Sequence, residues 1–153
     1  VRLGEQIAKD MIAIPIGPDV RMAVVGSPVY FRQNQRPKTP QDLTAHNCIN
    51  MRLPTHDTIF AWEFEKDGRE LRVRVDGQLV FNNLAMRRDA ALRGLGLAHM
   101  PEDQVEDSLA RGELVRVLED WCPPFGGYHL YYPNRRHPSP AFALVVEALR
   151  RRW

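Results

Sequence analysis

The sequence predicts an α/β fold built on an open sheet, and three observations carry that prediction. The run from Asn82 to Pro101 reads as a strand end, an asparagine-capped helix, a glycine stop, a short buried strand and a proline-started second helix. Ser27-Pro28 and Thr39-Pro40 each place a cap residue before a proline at the first helical position. Asp67-Gly68 sits between two alternating segments, a strong hairpin signal. The β-α-β order matters most, because open α/β sheets bind ligands at the ends of strands and the starts of helices. No catalytic group accompanies it.

Taken in order, residues 12–16 and 21–26 read as strands split by the Gly17-Pro18-Asp19 turn. Ser27-Pro28 opens a short helix through Tyr30 and Phe31, and a polar loop runs from Arg32 to Lys38. Thr39-Pro40-Gln41-Asp42 forms a capping box on about one helical turn. His46 to Met51 alternates as a strand and leads into the loop Arg52 to Thr58. Residues 59–65 and 70–75 flank the hairpin turn, and residues 78–81 make one more strand. In the helix that follows, Met86, Ala90 and Ala91 fall on one face, and Gly94 supplies a left-handed exit. Residues 95–100 are a buried strand, residues 101–109 a helix closed near Gly112, and residues 114–118 a strand. The run Cys122 to Gly127 bends the chain. A strand over 128–132 and a helix from Ser139-Pro140, with the stripe Phe142, Val145, Val146 and Leu149, complete the pattern.

Composition sets limits on function. The chain has 153 residues, 44% hydrophobic and 26% charged, with a formal net charge of +2, which are ordinary globular values for about one domain. Its arginines are spread along the chain, with clusters that include Arg135-Arg136 and Arg150-Arg151-Arg152, and a solvated helix end accounts for the latter, so these residues are not expected to bind nucleic acid. Two cysteines in unlike contexts, Cys48 and Cys122, point to no disulfide framework and to a reducing cytoplasm. His46 and Cys48 face one way on a continuous strand, but two donors make no zinc site, and neither metal nor cofactor is expected. No apolar run reaches membrane-spanning length, and no signal-peptide pattern opens the chain. Ser27 lacks a nucleophile elbow and an evident base, so it reads as a helix cap.

The ordered motifs resemble the effector-binding domain of LysR-type transcriptional regulators. Those that carry the resemblance are Gly26-Ser27-Pro28-Val29-Tyr30-Phe31, Thr39-Pro40-Gln41-Asp42-Leu43-Thr44-Ala45-His46-Asn47-Cys48-Ile49, Gly94-Leu95-Gly96-Leu97-Ala98-His99-Met100-Pro101 and Gly112-Glu113-Leu114-Val115-Arg116-Val117-Leu118. The closing Tyr131-Tyr132-Pro133-Asn134-Arg135-Arg136-His137-Pro138-Ser139-Pro140 fits the same series. The resemblance implies a fold like the type 2 periplasmic binding proteins, with residues 1–153 a partial effector-binding domain. Residues 17–126 would form its second lobe, and residues 1–16 and 127–153 crossover segments and a remnant of the first. The family's winged helix-turn-helix and the opening βαβα of the first lobe are not in the sequence. Operator DNA is therefore expected only through a domain outside this chain.

The resemblance also implies a small-molecule effector, anionic in character, and a homo-oligomer, with no membrane partner and no enzymatic activity. Carried over position by position, the effector residues are Arg2, the loop Leu53, Pro54, Thr55 and His56, and the helix start Asn82, Asn83 and Leu84. Free helix N–H groups and the positive dipole end suit a carboxylate. The plainer readings make Asn83 only a cap and Thr55 only a turn residue. A solute-binding protein of a transporter shares the fold and is the competing function; an enzyme on the same fold would need a catalytic constellation. The stripe Phe142, Val145, Val146 and Leu149 is expected to pack on a first-lobe sheet, or to drive self-association where that sheet is missing.

Overall fold

The computed structural model of the chain describes residues 2–3, 11–53, 58–133 and 139–150. In chain order its first elements are β1 (Arg2–Leu3), β2 (Met11–Pro15), β3 (Met22–Gly26), α1 (Pro28–Gln33) and, after a 3-10 turn over Pro40–Ala45, β4 (Ile49–Met51). They are followed by β5 (Trp62–Lys66), β6 (Arg69–Val73), β7 (Leu79–Phe81), α2 (Leu84–Leu92) and β8 (Ala98–Pro101). A 3-10 turn over Glu102–Gln104, α3 (Glu106–Ala110), β9 (Val115–Val117), a 3-10 turn over Glu119–Trp121, β10 (Tyr128–Pro133) and α4 (Pro140–Arg150) complete the chain. Two compact units emerge, one of residues 21–123 and one of residues 1–20 with 124–153.

In the larger unit β3 is flanked by β8 and β9, both antiparallel to it. β4 and β7 pair in parallel, and a parallel bridge between Cys48 and Leu97 joins that pair to β8. The strands therefore run β7-β4-β8-β3-β9, and the β7-α2-β8 crossover spans β4. Alternation along β3 sorts its side chains onto two faces. Ala23 and Val25 join Ile49, Ala98 and Met100 beneath Ala90 and Ala91 of α2. Val24 faces the other way, with Cys48 and Leu97, under Trp62, Phe64, Val73 and Val75 of the hairpin region. The hairpin turns where it was expected: Asp67 and Gly68 both take positive φ, 53° and 74°, as a tight two-residue turn needs.

Asn47 holds the crossover at both ends. Its side chain donates to the Leu95 carbonyl and accepts from the Gln78 N–H at 3.0 Å, and its own carbonyl accepts from Leu97 N–H at 2.9 Å. Backbones run so close here that a Cβ on Gly77 would stand 1.9 Å from the Cys48 carbonyl oxygen.

Four expectations need correction. The strand expected over 46–51 begins at Ile49, because the His46 N–H closes the preceding 3-10 turn onto Leu43, so His46 and Cys48 do not share a strand. The helix expected over 101–109 is broken. Pro101 ends β8 opposite Met22, and Val105 leaves helical geometry at φ −128° to bury its side chain between the 3-10 turn and α3. On α2 the buried face is Arg87, Ala90 and Ala91, while Met86 is 53% exposed. On α4, Phe142, Val146 and Leu149 are half-buried but Val145 is exposed.

The smaller unit is a three-stranded antiparallel sheet, β1-β10-β2, with Val20 bridged to Phe125 beside it. α4 meets this sheet through Phe142, edge-on to Tyr132 at 5.0 Å between ring centroids. Ser139 caps α4, accepting from the Phe142 N–H at 3.2 Å.

Candidate functional site

Parallel pairing of β4 with β7 brings two of the predicted segments to one edge. Met51 stands opposite Phe81, and the next N–H along, that of Arg52, donates to the Phe81 carbonyl at 2.9 Å. The chain thus leaves β4 towards Leu53 and leaves β7 towards Asn82 from the same, carboxyl, ends of neighbouring strands. Leu53 is half-buried, and its N–H donates to Thr58 O at 2.9 Å, closing the base of its loop. Pro54, Thr55 and His56 lie outside the described residues. Arg2 belongs to the other unit, where its backbone pairs with His129.

Asn82 and Asn83 are exposed at the start of α2. Asn83 has extended geometry at φ −123°, and its side-chain oxygen accepts from the Met86 N–H at 3.1 Å, so it is the cap that its position predicts. One orphan donor is thereby satisfied. The N–H groups of Leu84 and Ala85, in the first helical turn, have no intrahelical acceptor by construction. Leu84 is 38% exposed. With the positive end of the helix dipole, this edge can accept an anion.

Below the same turn lies a residue that the sequence reading missed. Arg87 is 3% exposed, and its guanidinium donates to the His99 carbonyl of β8 and to Met51 Sδ at 3.3 Å on β4. Among the described residues its Nε has no partner and no carboxylate pairs with it. Burial pushes the guanidinium down to about 10, so at neutral pH it holds its proton. The signal was present: Arg87 precedes Ala90 and Ala91 by three and four residues, the spacing of one helix face.

His99, on the far face of β8, stacks on Trp62 at 5.3 Å and lies 5.2 Å from Phe64. Burial, with Arg87 as a lesser cause, pushes its imidazole down to about 3, so it is neutral. Both thiols are free and buried: Cys48 is pushed up to about 12 and Cys122 up to about 11, each chiefly by burial. Ser27 is a cap, accepting from the Tyr30 N–H at 3.3 Å. Among the described residues no group of three His, Cys, Asp or Glu is placed to hold a metal, and no helix is long and apolar enough to cross a membrane. A separate shallow recess between α2 and α3 mixes Arg88 and Arg111 with Asp89, Asp103 and Asp107, so its charges offer an anion no clear preference.

Comparison with known proteins agrees with this architecture. The sequence model of the LysR substrate binding domain matches residues 1–153. A Pseudomonas aeruginosa protein described as a transcriptional regulator is 58% identical over 150 residues, covering 98% of this chain and 49% of its own length. The HTH-type transcriptional regulator PgrR of Escherichia coli is 49% identical over 150 residues, with 98% of this chain and 50% of that protein covered. Among solved structures, the regulatory domain of AphB from Vibrio vulnificus superposes with a TM-score of 0.75 at 28% identity, over 96% of this chain and 72% of that one. The chain spans about half the length of the curated relatives it matches.

Proposed function

Since the chain belongs to the LysR substrate binding domain family, we propose that it is the effector-sensing part of a LysR-type transcriptional regulator. A small anionic molecule binds at the edge formed by Leu53, Asn82, Asn83 and Leu84; Pro54, Thr55, His56 and Arg2 are effector residues in this proposal on the family resemblance alone. The observation that carries this reading is the register of β4 on β7, which sends both segments out from one strand edge beside the free N–H groups of α2. In this reading the unit of residues 21–123 is the core of the second lobe, and the strands and helix of the other unit belong to the first. Effector binding shifts the balance between lobe arrangements and between subunit packings. That shift changes how a helix-turn-helix outside residues 1–153 meets operator DNA in the cytoplasm. The relatives' regulator names favour this over a transport solute-binding protein.

A thermal-shift screen of aromatic and short aliphatic carboxylates against the chain tests it. A binder should stabilise the fold by about 2.7 kcal/mol at a hundredfold excess over Kd, and so raise the melting temperature. Asn83→Leu should abolish the shift in a folded protein. A shift retained in well-folded Asn83→Leu would sink the assignment.

A further inference from the structure

We propose that Arg87 is the residue that makes this edge select an anion, acting through its charge from beneath the first turn of α2 rather than as an exposed contact. The inference rests on the effector site proposed above and adds a residue that the family-derived set lacks.

The geometry points one way. Arg87 is the fourth helical residue of α2, one turn of about 5.4 Å along the axis from its cap. Helical side chains leave the backbone tilted towards the helix N-terminus, and the guanidinium reaches Met51, the last residue of β4 at this edge. The two partners that hold it, Met51 Sδ and the His99 carbonyl, sit on β4 and β8, the strands on which α2 packs. Both are neutral. A buried guanidinium in a protein is ordinarily paired with a carboxylate, and among the described residues none fills that role here. The α2 dipole cannot serve instead, because its near end is positive. The molecule thus places a whole positive charge and a partial one at the same edge, with no carboxylate among the described residues paired to the guanidinium. A bound anion would be that missing group. Coulomb attraction acts at this range without contact, and in partly buried surroundings a unit charge a helical turn or so away changes affinity by about tenfold or more. A neutral molecule of the same shape gains nothing from it.

The test is a titration of the whole chain with sodium sulfate, against sodium chloride at matched ionic strength, following the Leu84 and Ala85 amide resonances. In the parent both amides should move with sulfate. Arg87→Lys keeps the charge and should keep the affinity within about threefold. Arg87→Met removes it and should weaken sulfate at least tenfold, with circular dichroism unchanged. Arg87→Gln supplies the same comparison where the methionine variant fails to fold. Equal affinity in the parent and a folded neutral variant overturns the role of Arg87 and leaves the effector edge standing. Amides that do not respond in the parent overturn the effector edge, and this inference with it.

Discussion

Replacing Arg87 by methionine should leave the folded chain as stable as the parent or up to about 2 kcal/mol more stable. Burial lowers the guanidinium from 12.5 to about 10, and at about 1.4 kcal/mol for each tenfold step this makes holding it charged cost about 3 kcal/mol. The sign follows from the direction. A cation whose folded value is depressed binds its proton less tightly when folded, so the cost is present in full at pH 7 and relieved only as pH rises through about 10. Methionine removes the cost and, being unbranched and flexible, can follow the same slot. It also forfeits the charged hydrogen bond to the His99 carbonyl, worth about 1.5–3 kcal/mol. The two nearly cancel, with a small surplus on the stabilising side. Urea unfolding at pH 7, followed by tryptophan fluorescence, reads the difference, and each kcal/mol should move the melting temperature by about 2–4 °C in a chain of this size. A loss above about 3 kcal/mol is the signature of a broken buried ion pair. Such a loss would refute the claim that Arg87 is uncompensated.

Other consequences are as direct. His99, held near 3 against an ordinary 6.5, binds fewer protons folded than unfolded. Its contribution is complete above pH 6.5 and is lost as pH falls towards 3, so stability should drop by about 2 kcal/mol between pH 7 and pH 5, less in His99→Phe, as urea midpoints will report. Gly77→Ala drives a methyl to within 1.9 Å of the Cys48 carbonyl and should cost about 3 kcal/mol or more, visible as lost soluble yield or a collapsed melting transition. Cys48 and Cys122, pushed up to about 12 and about 11, should ignore an aromatic disulfide reagent at pH 8 in the native chain and react together in denaturant; reaction of either thiol in the folded chain would contradict its burial.

The parts of the fold that were legible rest on local chemistry. Asn83 caps α2 through a bond spanning three residues, Gly94 leaves it at φ +77°, and Asp42 closes the capping box onto Thr39, all within one turn of chain. Asp67-Gly68 is equally local. What the sequence hid depends on distant partners. Pro101 looks like a helix start until Met22 claims it for β8. Val105 breaks a helix because a core formed with Leu114 and Met100 takes its side chain. Arg87 carries a surface residue's charge, and its inward position rests on acceptors distant in sequence, the His99 carbonyl twelve residues on and Met51 Sδ thirty-six residues before. The site shows the same division. The helix start at Asn82–Leu84 could be read from its own residues, whereas its nearness to Leu53 depends on the pairing of β4 with β7, whose partners lie in separate stretches of chain.

Asn47 imposes an order in time on the crossover it pins. A growing chain emerges from its amino end at about 5–20 residues per second, so Asn47 is present before Gln78, 31 residues later, and well before Leu95, 48 residues later. β7 therefore arrives to find both its neighbouring strand and its anchor already made, and the segment through α2 is closed at the far end as soon as Leu95 appears. A circular permutant opened just after Asn47 would reverse this history. Gln78 and Leu95 would be synthesised with nothing to hold them, and the crossover would wait for the last residues of the chain before it could close.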